Sequence, residues 1–177
     1  MFLEVARTLG RHLAGAGVRV VYGGGRVGLM GALADAALEA GGEVVGIIPR
    51  HLAEKEIAHS GLSELHVVGS MHERKALMAE LSDGFITLPG GFGTLEETFE
   101  MLTWCQLGLH AKPVLVLEVD GFYAPLLAYL DHAVQSGFLR PEHRRIVLVE
   151  SDVGRVLARL AAFTPPQVQK WLELEET

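Results

Sequence analysis

The 177-residue sequence holds one cysteine, Cys105, so an intrachain disulfide is excluded and a reducing compartment is expected. Cys105 sits beside Trp104 in a helical apolar pattern, which predicts a buried structural thiol. No uninterrupted apolar stretch is long enough to span a bilayer, and the N-terminal segment MFLEVARTLGRHLAGAG is too charged for a signal-peptide core. The eight histidines form no H-E-x-x-H or similar paired spacing, and no cysteine pair accompanies them, so no metal site is expected. No G-x-S-x-G turn is present, which removes an esterase of that type. Positive charge is in deficit: the net charge is −7, unlike the basic surface of a nucleic-acid or acidic-membrane binder. A cytoplasmic protein that meets neither nucleic acid nor membrane is the expectation.

What is abundant is apolar residues and glycine. Hydrophobic residues make up 49% of the chain and charged ones 21%, a globular balance, and the length suits a single domain over residues 1–177. Residues 2–14 place Leu3, Ala6, Leu9 and Leu13 on one helical face. Short apolar, β-rich runs follow at 18–22, 43–48, 65–68, 84–88, 113–119 and 145–149. Helical patterns separate them at 29–40, 71–81, 98–107, 122–136 and 153–163, and a short terminal helix is expected beyond Pro166. Residues 50–63 show no periodicity. Strands alternating with helices at this spacing predict an α/β fold with a mainly parallel sheet covered on both faces. Ligands in such folds sit at the carboxyl ends of the strands.

Two glycine-rich turns occupy such ends. The first, Gly23-Gly24-Gly25-Arg26-Val27-Gly28, matches G-x-G-x-x-G, but the acid that would hold a dinucleotide ribose is absent. The next strand ends Ile47-Ile48-Pro49, and Glu43 stands at its start. An NAD-like or nucleotide-sensing module therefore survives only as a rival reading. The second turn, LPGGFGTLEE, leads from a strand into a helix expected to start near Thr94. Gly90, Gly91 and Gly93 allow positive φ and leave backbone N–H groups free to converge on an anion, where the positive end of the helix dipole also acts. Glu96 and Glu97 are expected in that first turn. Thr94 and Glu97 have capping-box spacing, and first-turn acids suit the dipole. That accounts for Glu96, whereas Glu97 is expected to wall the phosphate pocket. Arg74 and Lys75 fall at a helix start, where the dipole disfavours cations, so an anion is expected beside them. Arg74 suits a bidentate grip and Lys75 a point charge.

Taken together, YGGGRVGLMGALADAAL, VVGIIPRHL, VDGFY and the long MHERKALMAELSDGFITLPGGFGTLEETFEMLTWCQLGLHAKPV resemble the LOG (Lonely Guy) family. Its members are cytokinin riboside 5′-monophosphate phosphoribohydrolases, many formerly labelled possible lysine decarboxylases. The resemblance runs from about Tyr22 to Phe138. It implies a Rossmann-like three-layer α/β/α fold and hydrolysis of the N-glycosidic bond of a nucleoside 5′-monophosphate (AMP or a cytokinin nucleotide), without a cofactor. By position, Arg74 and Glu97 match the family's catalytic arginine and glutamate. Glu56, Lys75, Thr103 and the run Gly91, Phe92, Gly93, Thr94, Leu95, Glu96 match substrate-contacting positions. The turn glycines Gly23, Gly24, Gly25 and Gly90 are assigned to substrate binding with them. A homodimer or higher homo-oligomer is implied. Against pyridoxal chemistry, which needs a Schiff-base lysine, only Lys75 of four lysines lies in a candidate site. Family members open with a strand and a small-residue turn of the form VFCGS; this sequence opens at the following helix. A missing central strand would leave long unpaired edges, so a shortened reading frame is expected.

Overall fold

A computed structural model describes residues 1–54 and 58–165. The sequence-predicted terminal helix lies outside the described residues.

Helix α1 (Phe2–Gly15) leads into strand β1 (Val20–Tyr22), helix α2 (Gly28–Glu39) and strand β2 (Val44–Pro49). A single turn, α3 (Arg50–Ala53), follows where no periodicity is visible in the sequence, then β3 (Glu64–Val68), α4 (Met71–Leu81) and β4 (Phe85–Thr87). Helix α5 (Phe92–Gln106), β5 (Val114–Leu117), α6 (Ala124–Gln135), the short α7 (Pro141–Arg144), β6 (Val147–Glu150), a 3-10 turn (Val153–Arg155) and α8 (Val156–Ala161) complete the described chain.

All strand pairs are parallel, in two three-stranded sheets ordered β1-β2-β3 and β4-β5-β6. Among the described residues β1 pairs only with β2, and β4 only with β5. These two edge strands flank a common slot. Val18, Val20 and Val21 line it on one side and Gly84, Ile86 and Leu88 on the other, around a cavity of about 690 Å³. Leu9 and Leu13 of α1 cover it from one face. A second cavity is bordered by Val21 and Tyr22 of β1 and by residues 84–89, which contain the whole of β4.

Burial on both faces explains why β2 and β5 read as continuous apolar runs, whereas the edge strand β3 is largely exposed. In β5 the residues alternate between two cores. Leu115 and Leu117 join Leu9, Leu13, Val20, Ala34, Ala37 and Val156, so α1, α2 and α8 cover one face. Val114 joins Met101, Leu102, Cys105 and Ile146 under α5 on the other face. The first core draws side chains from both half-sheets, and helix α1 joins them from outside. Cys105 is buried and free, as its helical context requires. Gly10 serves the α1–α2 packing, since a Cβ there would collide with the Leu33 carbonyl.

Candidate active site

The second cavity, about 250 Å³, lies at the carboxyl ends of β1 and β4. Tyr22 and Gly23 line it from β1, Thr87, Leu88 and Pro89 from β4, Arg74 and Lys75 from α4, and Thr94, Glu97 and Thr98 from α5. Both glycine turns reach this edge of the molecule.

Helix α4 begins with a reciprocal cap. Ser70 Oγ accepts from the Glu73 N–H at 3.1 Å, and Glu73 Oε2 accepts from the Gly69 N–H at 2.7 Å. The cap fixes where the helix starts and therefore where Arg74 and Lys75 point, one turn in. Arg74 is buried at 9% exposure. Its Nε donates to the Ile47 carbonyl of β2 at 3.2 Å, and its Nη1 donates to Glu97 Oε1 at 2.6 Å. The guanidinium lies against Gly23, where a Cβ would overlap it. The absence of a side chain at Gly23 thus makes room for Arg74. Gly24 adopts φ of +73° and Gly25 is bridged to Ala58.

The LPGGFGTLEE turn departs from expectation in two ways. None of Gly90, Gly91 and Gly93 has positive φ; the turn exploits their missing side chains instead. A Cβ on Gly90 would strike Thr94, whereas Gly91 and Gly93 face open space. Helix α5 also starts earlier than expected, at Phe92, with Gly91 as its N-cap. Its first turn contains no acid, so Glu96 and Glu97 stand in the second turn, and Thr94 is not a capping residue. What fixes the turn is side-chain bonding from elsewhere. Tyr123 Oη donates to the Leu88 carbonyl at 2.7 Å. Thr98 Oγ1 bonds the Thr94 carbonyl at 2.6 Å and shares a 2.9 Å hydrogen bond with Thr87 Oγ1.

The anions that the α4 cations require are carboxylates of α5. Arg74 takes Glu97, while Lys75 donates to Glu96 Oε1 and, at 3.1 Å, to Glu100 Oε1. Burial pushes the Glu97 carboxyl above its ordinary value, against the opposing pull of the Arg74 guanidinium. The hydrogen bond to Glu96 raises the Lys75 ammonium. Burial raises the Tyr22 hydroxyl, with the Asp35 charge adding to it, and among the described residues that hydroxyl has no hydrogen-bond partner.

The cleft therefore gathers Gly23, Arg74, Lys75, Thr94 and Glu97. Leu95 is half-buried, and Phe92 is 95% exposed at the tip of the turn. Thr103 is exposed on α5, donating to the Phe99 carbonyl at 2.7 Å, and does not line the cavity. Glu56 lies outside the described residues. Sequence reasoning passed over Tyr123, Thr87, Thr98 and Glu100. The only signal was helical spacing, which puts Thr94, Thr98 and Met101 on one face and Glu96 with Glu100 on the next. Among the described residues no group of three or more His, Cys, Asp or Glu forms a metal-binding cluster. No helix among them is long and apolar enough to cross a membrane.

A parallel, helix-covered α/β architecture with glycine turns and an Arg–Glu pair at the carboxyl edge of its strands places the chain among Rossmann-like proteins. Solved structures share that fold. The molybdenum cofactor binding protein of Rippkaea orientalis matches with a TM-score of 0.65 and 25% identity, over 88% of this chain and 83% of that one. The molybdenum cofactor carrier protein of Chlamydomonas reinhardtii matches at 0.66 and 24%, over 90% and 85%, a likeness of fold alone. The family model described as "Possible lysine decarboxylase" matches residues 30–160. A cytokinin riboside 5′-monophosphate phosphoribohydrolase of Rhodococcoides fascians is 54% identical over 89% of this chain and 80% of its own length. The enzyme of that name numbered LOG5 in Arabidopsis thaliana is 47% identical over 93% and 72%. The chain belongs to this family, the LOG family.

Proposed function

We propose that this protein hydrolyses the N-glycosidic bond of a nucleoside 5′-monophosphate, AMP or a cytokinin riboside monophosphate, to free base and ribose 5-phosphate. The observation that carries the reading is Glu97, a partly buried carboxylate held at 2.6 Å by Arg74 in a cavity bordered by both glycine turns. The names of the relatives that cover most of this chain support it. Breaking the glycosidic bond develops positive charge on the ribose, and a carboxylate stabilises that charge or activates the attacking water. Glu97 supplies the carboxylate. Arg74 orients it and balances its charge when no cationic transition state is present. The substrate's phosphate is anchored by the open backbone at Gly91 and Gly93 and by the amino end of α5. Anchoring at a distance lets remote binding energy assist cleavage. Gly23, Gly24, Gly25, Gly90, Phe92, Thr94 and Leu95 complete the nucleotide-binding rim in this reading, while the Glu96 carboxylate is bonded to Lys75. Glu56 and Thr103 enter it through the family resemblance alone.

The rivals have less support. The turn at Gly23 lacks a ribose-binding acid at the end of β2, which closes with Pro49, so a dinucleotide sensor is disfavoured. A decarboxylase needs a neutral amine for its Schiff base, yet Lys75 is held as an ammonium between two carboxylates. We also place the protein in the cytoplasm, as one unit over residues 1–177. It works as a homo-oligomer, a reading to which the exposed Leu107 and Leu109 after α5 lend support.

Incubation with a panel of nucleoside monophosphates tests the proposal. Free base and ribose 5-phosphate should appear together, and Glu97→Gln and Arg74→Ala should each abolish them. Near wild-type turnover in either variant would remove the assignment.

A further inference from the structure

We infer that Lys75 is a positioning residue for Glu97: with Glu96 and Glu100 it forms a clamp that fixes how α5 is rotated and so where Glu97 points. The inference rests on the reading of Glu97 as the working carboxylate.

The side chain of Lys75 is 8% exposed, and its ammonium donates to two α5 carboxylates, Glu96 and Glu100. Its charge is met by Glu100, whose side chain is 24% exposed, and by the more exposed Glu96. Glu96 and Glu100 are four residues apart and share one ridge of the helix, where like charges repel unless a cation stands between them. Glu97 lies about 100° further round the helix, as 3.6 residues per turn requires. Holding the Glu96–Glu100 ridge against α4 therefore directs Glu97 toward Arg74. The two pairings form a ladder: consecutive cations 74 and 75 meet consecutive acids 97 and 96. A one-residue slip of α5 would break both rungs.

Nothing at the helix start does this job. Gly91 is an N-cap without a side chain, and the first turn contains the exposed Phe92 and the open Gly93. The clamp acts with the Thr87–Thr98 hydrogen bond to set α5 rotation beside the cavity.

The charged groups acting on Glu97 are Arg74 and Lys75 from α4 and Glu96 from its own helix. This permits a test in which titration and positioning move differently. Lys75→Met removes a charge that lowers the Glu97 carboxyl, so Glu97 should titrate at higher pH. Glu96→Gln with Glu100→Gln removes a charge that raises it and frees Lys75, so Glu97 should titrate lower. A clamp predicts that both variants lose at least tenfold in kcat, as small misplacements do, while KM for the nucleotide changes less than about twofold. The acid limbs of their pH–rate profiles should shift in opposite directions.

A lysine that binds substrate phosphate predicts the reverse. Lys75→Met would then raise KM with kcat retained, and the double glutamine variant would turn over like wild type. Either result overturns the inference. The double glutamine variant is nearly isosteric and keeps the test open if Lys75→Met fails to fold. A readout independent of turnover is the stability coupling of Arg74 and Glu97 from a double-mutant cycle. Coupling that falls in the double glutamine background supports the clamp, and undiminished coupling refutes it. If the wild-type protein releases no base, the reading of the site fails on its own while this measurement still decides the clamp.

Discussion

Replacing Arg74 by Met should cost about 3–4 kcal/mol of folding stability as well as activity. The structure divides that figure in two. An exposed ion pair is worth roughly 0–1 kcal/mol, and breaking a fully buried one costs roughly 3–5 kcal/mol. The Arg74 and Glu97 side chains are 11% and 30% exposed, so about 2–3 kcal/mol is expected for leaving Glu97 unpaired. The buried Ile47 carbonyl also loses the Arg74 Nε–H, adding about 1 kcal/mol. For a chain of this length the sum lowers Tm by roughly 10 °C. Glu97→Gln keeps the shape and an acceptor for Arg74, and should cost only about 1 kcal/mol.

The comparison also has a pH signature. The Glu97 carboxyl is raised in the folded protein chiefly by burial, so its contribution is fully present below the ordinary value of 4.5 and is lost as pH rises through the folded value. The stability advantage of wild type over Glu97→Gln should thus shrink as pH climbs from about 4.5, then level off once Glu97 ionises. Urea unfolding of wild type and both variants between pH 4 and 8, alongside release of free base, makes the measurement. The pairing argument fails if Arg74→Met loses less than about 1 kcal/mol. A wild type that instead gains on Glu97→Gln with rising pH would show that the Arg74 charge outweighs burial at Glu97.

Gly23→Ala should sharply reduce turnover, because its Cβ would displace the Arg74 guanidinium; an activity assay with a thermal melt separates this from global unfolding. Tyr123→Phe removes the donor to the Leu88 carbonyl and should cost about 1 kcal/mol. If the turn it secures holds the phosphate, KM for the nucleotide should rise more than kcat falls. Tyr22→Phe deletes a buried hydroxyl that has no partner among the described residues, so stability should hold or rise by up to about 1 kcal/mol in urea titrations.

The strand–helix alternation was legible because each element carries its own period. The buried strands are apolar runs, the helices repeat at 3.6, and glycine closes most of them. Local pattern fails where partners are distant in sequence. The short α3 and α7 have too few residues for a period to show. The start of α5 at Phe92 instead of near Thr94 was hidden because its N-cap is Gly91, which carries no capping side chain to recognise. Arg74 and Lys75 were legible as cations needing an anion, but the pairing was not. A helix start does not reveal whether the counter-charge is a ligand or a glutamate more than twenty residues away, and here glutamates fill the role.

That pairing bears on the split sheet. Arg74 belongs to α4 and reaches the Ile47 carbonyl of β2, in the first half-sheet. Glu97 belongs to α5, whose Thr98 is tied to Thr87 of β4, in the second. The Arg74–Glu97 bond and the Lys75 clamp therefore cross between the halves on the face opposite α1, at the carboxyl end of the slot. The groups proposed to cleave the glycosidic bond are also a strut between two sheets that do not pair with each other. Their geometry is consequently set by the separation of the half-sheets, and anything that widens the slot between β1 and β4 should loosen the Arg74–Glu97 contact before it disturbs either core.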